Sequence, residues 1–169
     1  MTGQRTSTSG KRQATPRKPS GTSHGPVIVE PDTRRIRLPR VERRRSGLHG
    51  WGVFAIEPIN KNTRIIAYTG ERITHAESLR RERRYLRDGN IWCFTLDSRW
   101  VVDGAVGGSD ARFINHSCTP NCYSYIMGGI IWIRAARNIR AGEELTYNYY
   151  TEGTGEIQCL CRPGCDAKL

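Results

Sequence analysis

Cys159, Cys161 and Cys165 place three thiols within seven residues, Cys-Leu-Cys-Arg-Pro-Gly-Cys, in a 169-residue chain. Thiolates so closely spaced point to a metal ion, and zinc takes four ligands in a tetrahedron, so a fourth must come from elsewhere. Two further segments break the alternation of a packed strand: Arg112-Phe-Ile-Asn-His-Ser-Cys-Thr-Pro-Asn-Cys122 and Glu143-Glu-Leu-Thr-Tyr-Asn-Tyr149. Both set polar or reactive side chains beside apolar ones, which is expected where function overrides folding. A third, Gly47-Leu-His-Gly-Trp-Gly-Val-Phe-Ala55, carries three glycines in six residues ahead of an apolar run. Gly50 and Gly52 would let backbone approach a ligand closely, and Trp51 offers apolar surface. No helix follows where a phosphate-binding nucleotide loop requires one. Taken singly, each feature is ordinary: a strand Tyr is mostly core, a lone His mostly structural, a Gly-x-Gly mostly a turn.

The elements that must position these groups are short. Runs at 52–56, 63–68, 91–96, 100–103 and 129–134 are β-branched and aromatic, separated by Gly, Pro, Asn or Asp. They predict a mostly β domain of small sheets. Residues 74–88 carry a helical pattern instead, with Thr74 and Glu77 as a capping box and Leu79, Tyr85 and Leu86 near one face. The helix's arginines read most simply as a solvated face.

Hydrophobic residues make up 37% of the chain, enough for one small core. No run approaches 18 apolar residues and the N-terminus shows no apolar signal region, so neither a membrane span nor a secretory leader is expected. The six cysteines are then expected in a reducing compartment, where clusters favour metal over disulfides. Residues 1–45 hold twelve Lys/Arg against three Asp/Glu, and residues 46–169 hold fifteen against thirteen. The basicity therefore belongs to the N-terminal region 1–45: residues 1–33 are expected as a disordered arm, poorest in apolar side chains over 1–26, and 27–45 form an arginine-rich transition of short β-prone pieces. A basic arm suits DNA or another polyanion, or simply keeps the chain soluble.

Together the glycine segment, Tyr68-Thr-Gly-Glu, the Asn-His-Ser-Cys string and the Glu-Glu-Leu-Thr-Tyr-Asn-Tyr string resemble, in order and spacing, the motifs of SET-domain protein lysine methyltransferases. The resemblance covers residues 34–165 and implies a SET fold over 34–150, with a pseudoknot joining the last two motifs. A zinc-binding post-SET segment would occupy 155–169, and no pre-SET cysteine cluster is present. It implies S-adenosylmethionine as cofactor, met by Gly50, Trp51, Gly52, Trp92, Asn115, His116 and Tyr149. Tyr149 would be the catalytic tyrosine, with Tyr68 and Tyr147 lining the lysine channel. It also implies Cys118 as the fourth zinc ligand beside Cys159, Cys161 and Cys165, with Cys122 as the competitor. The chain departs from many relatives in carrying Trp92 where they have Tyr, and a three-residue gap before Cys165 where they have four.

The implied reaction moves a methyl group to a lysine amine. A free lysine has a pKa of about 10.4, so supplying the neutral amine at pH 7 costs about 4–5 kcal/mol. A positive sulfonium beside the ammonium in an apolar channel lowers that pKa by repulsion and desolvation, leaving alignment as the remaining task. Tyr147, able to hydrogen-bond the amine and leaving little space beside it, argues for monomethylation, with dimethylation second. The substrate expected is a histone or histone-like protein, on a chromosome in a nucleus or a bacterial cytoplasm, or in a host nucleus reached by an effector. A non-histone target such as a ribosomal protein stays open, as does a non-catalytic scaffold binding chromatin or DNA. Lys11 and Lys18, in a stretch loosely like a histone tail, are candidates for self-methylation.

Overall fold

The computed structural model describes residues 26–150 and 157–169. In chain order the elements are β1 (Ile28–Val29), β2 (Val41–Arg45), β3 (Trp51–Ala55), β4 (Arg64–Tyr68), β5 (Gly70–Thr74), α1 (His75–Arg87), β6 (Cys93–Thr95), β7 (Trp100–Asp103), β8 (Asn115–His116), β9 (Cys122–Met127), β10 (Ile130–Ala135) and β11 (Thr146–Tyr147). They form four small sheets, ordered β1-β5-β7-β6, β4-β10-β9, β11-β8 and β2-β3. This is the mostly β architecture with one helix that the sequence predicts.

The apolar runs close one core. Val53, Ile65, Val102, Ile114, Ile131, Ile133, Ile139 and Leu145 are all fully buried. Burying each such side chain stabilises the fold by about 1.5–3 kcal/mol. β10 is central in its sheet, flanked by β4 and β9, so its burial is nearly continuous rather than alternating. β8 and β11 pair in parallel, Asn115 opposite Thr146 and His116 opposite Tyr147. Asn121 fastens the junction: its Nδ2 donates to Glu144 O at 2.7 Å, and its Oδ1 accepts from Thr146 N at 2.9 Å.

The structure corrects several expectations. Thr74 caps α1, its hydroxyl accepting from Glu77 N at 3.3 Å, but Glu77 turns to Arg80 and Arg81 instead of completing a capping box. Tyr85 is buried, while Leu79 is 62% exposed; Ser78 takes the inward position because the buried face runs through 78, 81 and 85. Nor are all the arginines solvated. Arg81 reaches Glu77 at 2.7 Å, Glu71 at 2.6 Å and the fully buried Asp103 at 2.7 Å, and Asp103 also accepts from the Tyr85 hydroxyl at 2.9 Å. This network fastens the helix to β5 and β7. The basic arm was expected to run to residue 33, yet Ile28 and Val29 pair with Glu71 and Gly70. Two β-branched residues suffice there because β5 offers an open edge. The strand expected at 91–96 is shorter, Cys93–Thr95, and Ile91 and Trp92 precede it.

Candidate active site

Tyr68 converges with two tyrosines far from it in sequence, Tyr147 and Tyr149. Tyr68 ends β4, Tyr147 ends β11, and Tyr149 lies two residues on. Phe94 of β6 packs between them, edge-on to Tyr68 at 5.2 Å and stacked on Tyr147 at 6.0 Å, while Tyr147 and Tyr149 lie 4.8 Å apart. Two phenol protons are committed to backbone carbonyls: Tyr68 donates to Trp92 O and Tyr149 to Ile114 O, each at 2.8 Å. Their oxygens remain free to accept from a guest. No comparable hydrogen bond is made by the Tyr147 hydroxyl among the described residues. Burial pushes all three phenols well above the ordinary tyrosine range, so none serves as a base near neutral pH.

Beside this cage lies a cleft of about 430 Å³, within the size range of cofactor sites. Gly50, Trp51, Trp92, Asn115, His116 and Tyr149 line it, as do Leu48, Arg112, Phe113, Ile157, Leu160 and Leu169. Tyr149 belongs to both cage and cleft. Gly50 has φ +45°, the left-handed region where glycine is at ease, and nothing crowds its Cα.

Gly52 does not line the cleft. A Cβ there would collide with the Glu144 carboxylate, which sits against the strand and accepts from the Ser46 hydroxyl at 2.7 Å and from Asn115 Nδ2 at 2.8 Å. The same Asn115 amide donates to Trp51 O at 3.0 Å and His49 O at 3.3 Å. Asn115 therefore clamps the 46–51 loop through its side chain, and Glu144 holds the clamp. The resemblance placed Asn115 at the cofactor and gave Glu144 no role. Phe94, Arg112 and Phe113 were also missed as site residues, although all three stood inside strings already singled out.

His116 is buried, which lowers its pKa and keeps it neutral. Tyr149 N donates to its Nδ1 at 3.4 Å, so the ring proton sits on Nε2, 3.5 Å from Cys118 Sγ. Cys118 meets Cys159, Cys161 and Cys165 with all four sulfurs within 4.8 Å of one another, and stands 3.8 Å from both Cys159 and Cys165. Sulfurs about 2.3 Å from one tetrahedral zinc lie about 3.8 Å apart, so the donor set fits that ion. The short gap before Cys165 is absorbed at Pro163-Gly164, where Gly164 takes φ +69°. Cys122, the competing ligand, is buried in β9 outside the cluster, and its thiol is pushed up to about 12 by burial. Cys93 likewise lies outside it, partly buried in β6.

Comparison with known proteins identifies the family. The family model described as "SET domain" matches residues 50–150. A Yarrowia lipolytica protein named "Histone-lysine N-methyltransferase, H3 lysine-4 specific" is 44% identical over 145 residues, covering 80% of this chain and 12% of its own. A Neurospora crassa protein of the same name is 43% identical over 127 residues, covering 69% of this chain and 10% of its own. The chain thus spans about a tenth of the length of these relatives. Among solved structures, a ctPRC2 chain, in an autoinhibited conformation bound to S-adenosylmethionine, is 35% identical with a TM-score of 0.63, covering 71% of this chain and 16% of its own. Convergence of the tyrosines, the parallel pairing of the two motif strands and a family match over residues 50–150, which hold all three tyrosines, leave one conclusion: the chain belongs to the SET domain family.

Proposed function

We propose that this chain transfers a methyl group from S-adenosylmethionine to a lysine of a histone, and that it acts on chromatin. The observation that carries the reading is the buried tyrosine cage abutting the cleft at Tyr149. Adenosylmethionine suits the cleft, whose walls are largely apolar and hold one arginine. Arg112 gives one guanidinium nitrogen to Gly104 O at 2.7 Å, while its buried Nε has no acceptor among the described residues. Its positive charge at the cleft wall would suit the cofactor's carboxylate. Gly50, Trp51, Trp92, Asn115, His116 and Tyr149 are the residues assigned to the cofactor.

When bound, the cofactor supplies the methyl group and a fixed positive charge. The protein supplies alignment. Aromatic faces of Tyr68, Phe94 and Tyr147 hold the lysine methylenes, and the phenol oxygens of Tyr68 and Tyr149 accept weak C–H···O contacts from the polarised methyl. With every phenol kept protonated by burial, the lysine proton leaves to solvent, driven by desolvation and by repulsion from the sulfonium. The unpartnered Tyr147 hydroxyl is free to bond the amine and hold it in one orientation, which supports monomethylation ahead of dimethylation.

Cys118, Cys159, Cys161 and Cys165 would hold a structural zinc. It would seat residues 157–169 against the cleft, where Ile157, Leu160, Cys161 and Leu169 contribute wall. The histone class rests on the relatives' names; a histone-like or ribosomal target is the second substrate reading. Contact between the basic arm and DNA is proposed on charge alone. The arm's first 25 residues, with Lys11 and Lys18, lie outside the described residues.

The test is transfer of labelled methyl from adenosylmethionine to core histones and to nucleosomes, with Tyr149→Phe as control. Label on one histone, reduced at least a hundredfold in the variant while cofactor still binds, is the expected result. Failure of the wild-type chain to bind adenosylmethionine would overturn the enzymatic reading in favour of a scaffold.

A further inference from the structure

Helix α1 presents a second feature that methyl transfer does not use. At 100° per residue, Arg80, Arg83, Arg84 and Arg87 fall on one stripe of its surface. All four are exposed, whereas the residues that seat the helix, Ser78, Arg81 and Tyr85, lie on another face. Arg80 is paired with Glu77 at 2.6 Å. Arg83, Arg84 and Arg87 have no carboxylate partner among the described residues. The other helix carboxylate, Glu82, lies on the far side of the helix from them. The stripe runs about 10 Å along the axis, at 1.5 Å per residue.

The first described residues pair with β5, the strand that leads into this helix. Val27 O accepts from Arg72 N at 2.8 Å on the open edge of β5, two residues before the α1 cap at Thr74. Residues 1–25 contain five Lys/Arg and no Asp/Glu.

We infer that the α1 stripe is a docking surface for the phosphate backbone of double-stranded DNA. Duplex DNA carries one charge about every 1.7 Å of axis, so a 10 Å stripe faces several phosphates at once. Guanidinium forks match phosphate oxygens in pairs. Contacts confined to phosphates carry no sequence information, so this binding is independent of sequence and releases counterions. On a histone substrate the surface would hold the enzyme on nucleosomal DNA while the cage works on the tail; that part rests on the proposed function, but the binding itself does not.

The experiment is fluorescence anisotropy of the full chain on a labelled 30-base-pair duplex across 50–200 mM KCl, without cofactor, comparing wild type with Arg83→Gln/Arg84→Gln/Arg87→Gln. Each phosphate contact adds about 0.9 to the slope of log affinity against log salt. Loss of three contacts lowers the slope by about 2.7, so wild type loses about 40-fold more affinity than the variant over that range. Adenosylmethionine affinity, measured alongside, stays unchanged and shows that the variant is folded. Equal slopes, or no DNA binding by wild type, would overturn the inference. So would a variant that keeps its DNA affinity but loses binding to poly-glutamate, which would assign the stripe to an acidic protein surface.

Discussion

Gly52 and Glu144 should be coupled so strongly that the second substitution costs almost nothing once the first is made. In the folded chain a Cβ at Gly52 would lie 2.9 Å from Glu144 Cδ, closer still to the carboxylate oxygen, and 3.0 Å from Ser46 Cβ. Gly52 has no positive φ, so alanine is barred there by this contact and not by backbone strain. Gly52→Ala forces the carboxylate out and breaks its bonds from the Ser46 hydroxyl and Asn115 amide. Hydrogen bonds to a charged group contribute about 1.5–3 kcal/mol each, so the single substitution costs about 3 kcal/mol or more. Glu144→Ala breaks the same two bonds at a similar cost. In the double variant no carboxylate stands in the way, and only the Ser46 contact remains. The expected coupling is therefore about 3 kcal/mol in favour of the double variant. Because Asn115 holds the carbonyls of His49 and Trp51 at the cleft, the loss should appear as adenosylmethionine affinity weakened about 100-fold in each single variant, at 1.4 kcal/mol per tenfold. The double variant should bind no more weakly than either. Calorimetric titration of the four proteins, with urea denaturation beside it, measures both quantities. Additive losses would refute the assignment of Glu144 as the group that excludes a side chain at 52.

Four further outcomes follow from the structure. Arg81→Met should lower unfolding stability by about 3–5 kcal/mol in urea melts, because it leaves the fully buried Asp103 without its cation. Arg80 and Arg81 hold the Glu77 carboxyl down to about 2 by hydrogen bonding. Its folded value lies below its unfolded one, so its stabilisation is present above about pH 4.5 and is lost as pH falls toward 2; Glu77→Gln should flatten the stability profile over that window. Metal analysis should find one zinc per chain, and stripping it with a chelator or with Cys118→Ser should weaken cofactor binding and expose residues 157–169 to protease. Tyr147→Phe should shift the product mixture, read by mass spectrometry, from monomethyl toward di- and trimethyl lysine.

The sequence by itself carried the chemistry. The thiol spacing declared a metal cluster, the two irregular strings declared the site, and their order matched one family. The strand runs at 63–68, 100–103 and 129–134 and the helix at 74–88 were legible because hydrophobic periodicity and a Thr cap are local signals. What the chain could not declare locally, tertiary packing decided. Whether the fourth sulfur was Cys118 or Cys122 depended on which one β8 and β11 carry toward the C-terminal thiols, a matter of long-range pairing. Glu144 reads as one of two surface acids, and only its contacts with Gly52 and Asn115 make it part of the site. Phe94 reads as core, yet it becomes a wall between Tyr68 and Tyr147 because three separate strands end at the same place. The arginines of α1 look alike in sequence; pairing with Asp103 draws Arg81 inward and pairing with Glu77 engages Arg80, which leaves Arg83, Arg84 and Arg87 as the exposed charge without a carboxylate partner among the described residues. Residue type and spacing fix what a group can do, whereas its partners are set by contacts between segments tens of residues apart, and those exist only in the folded chain.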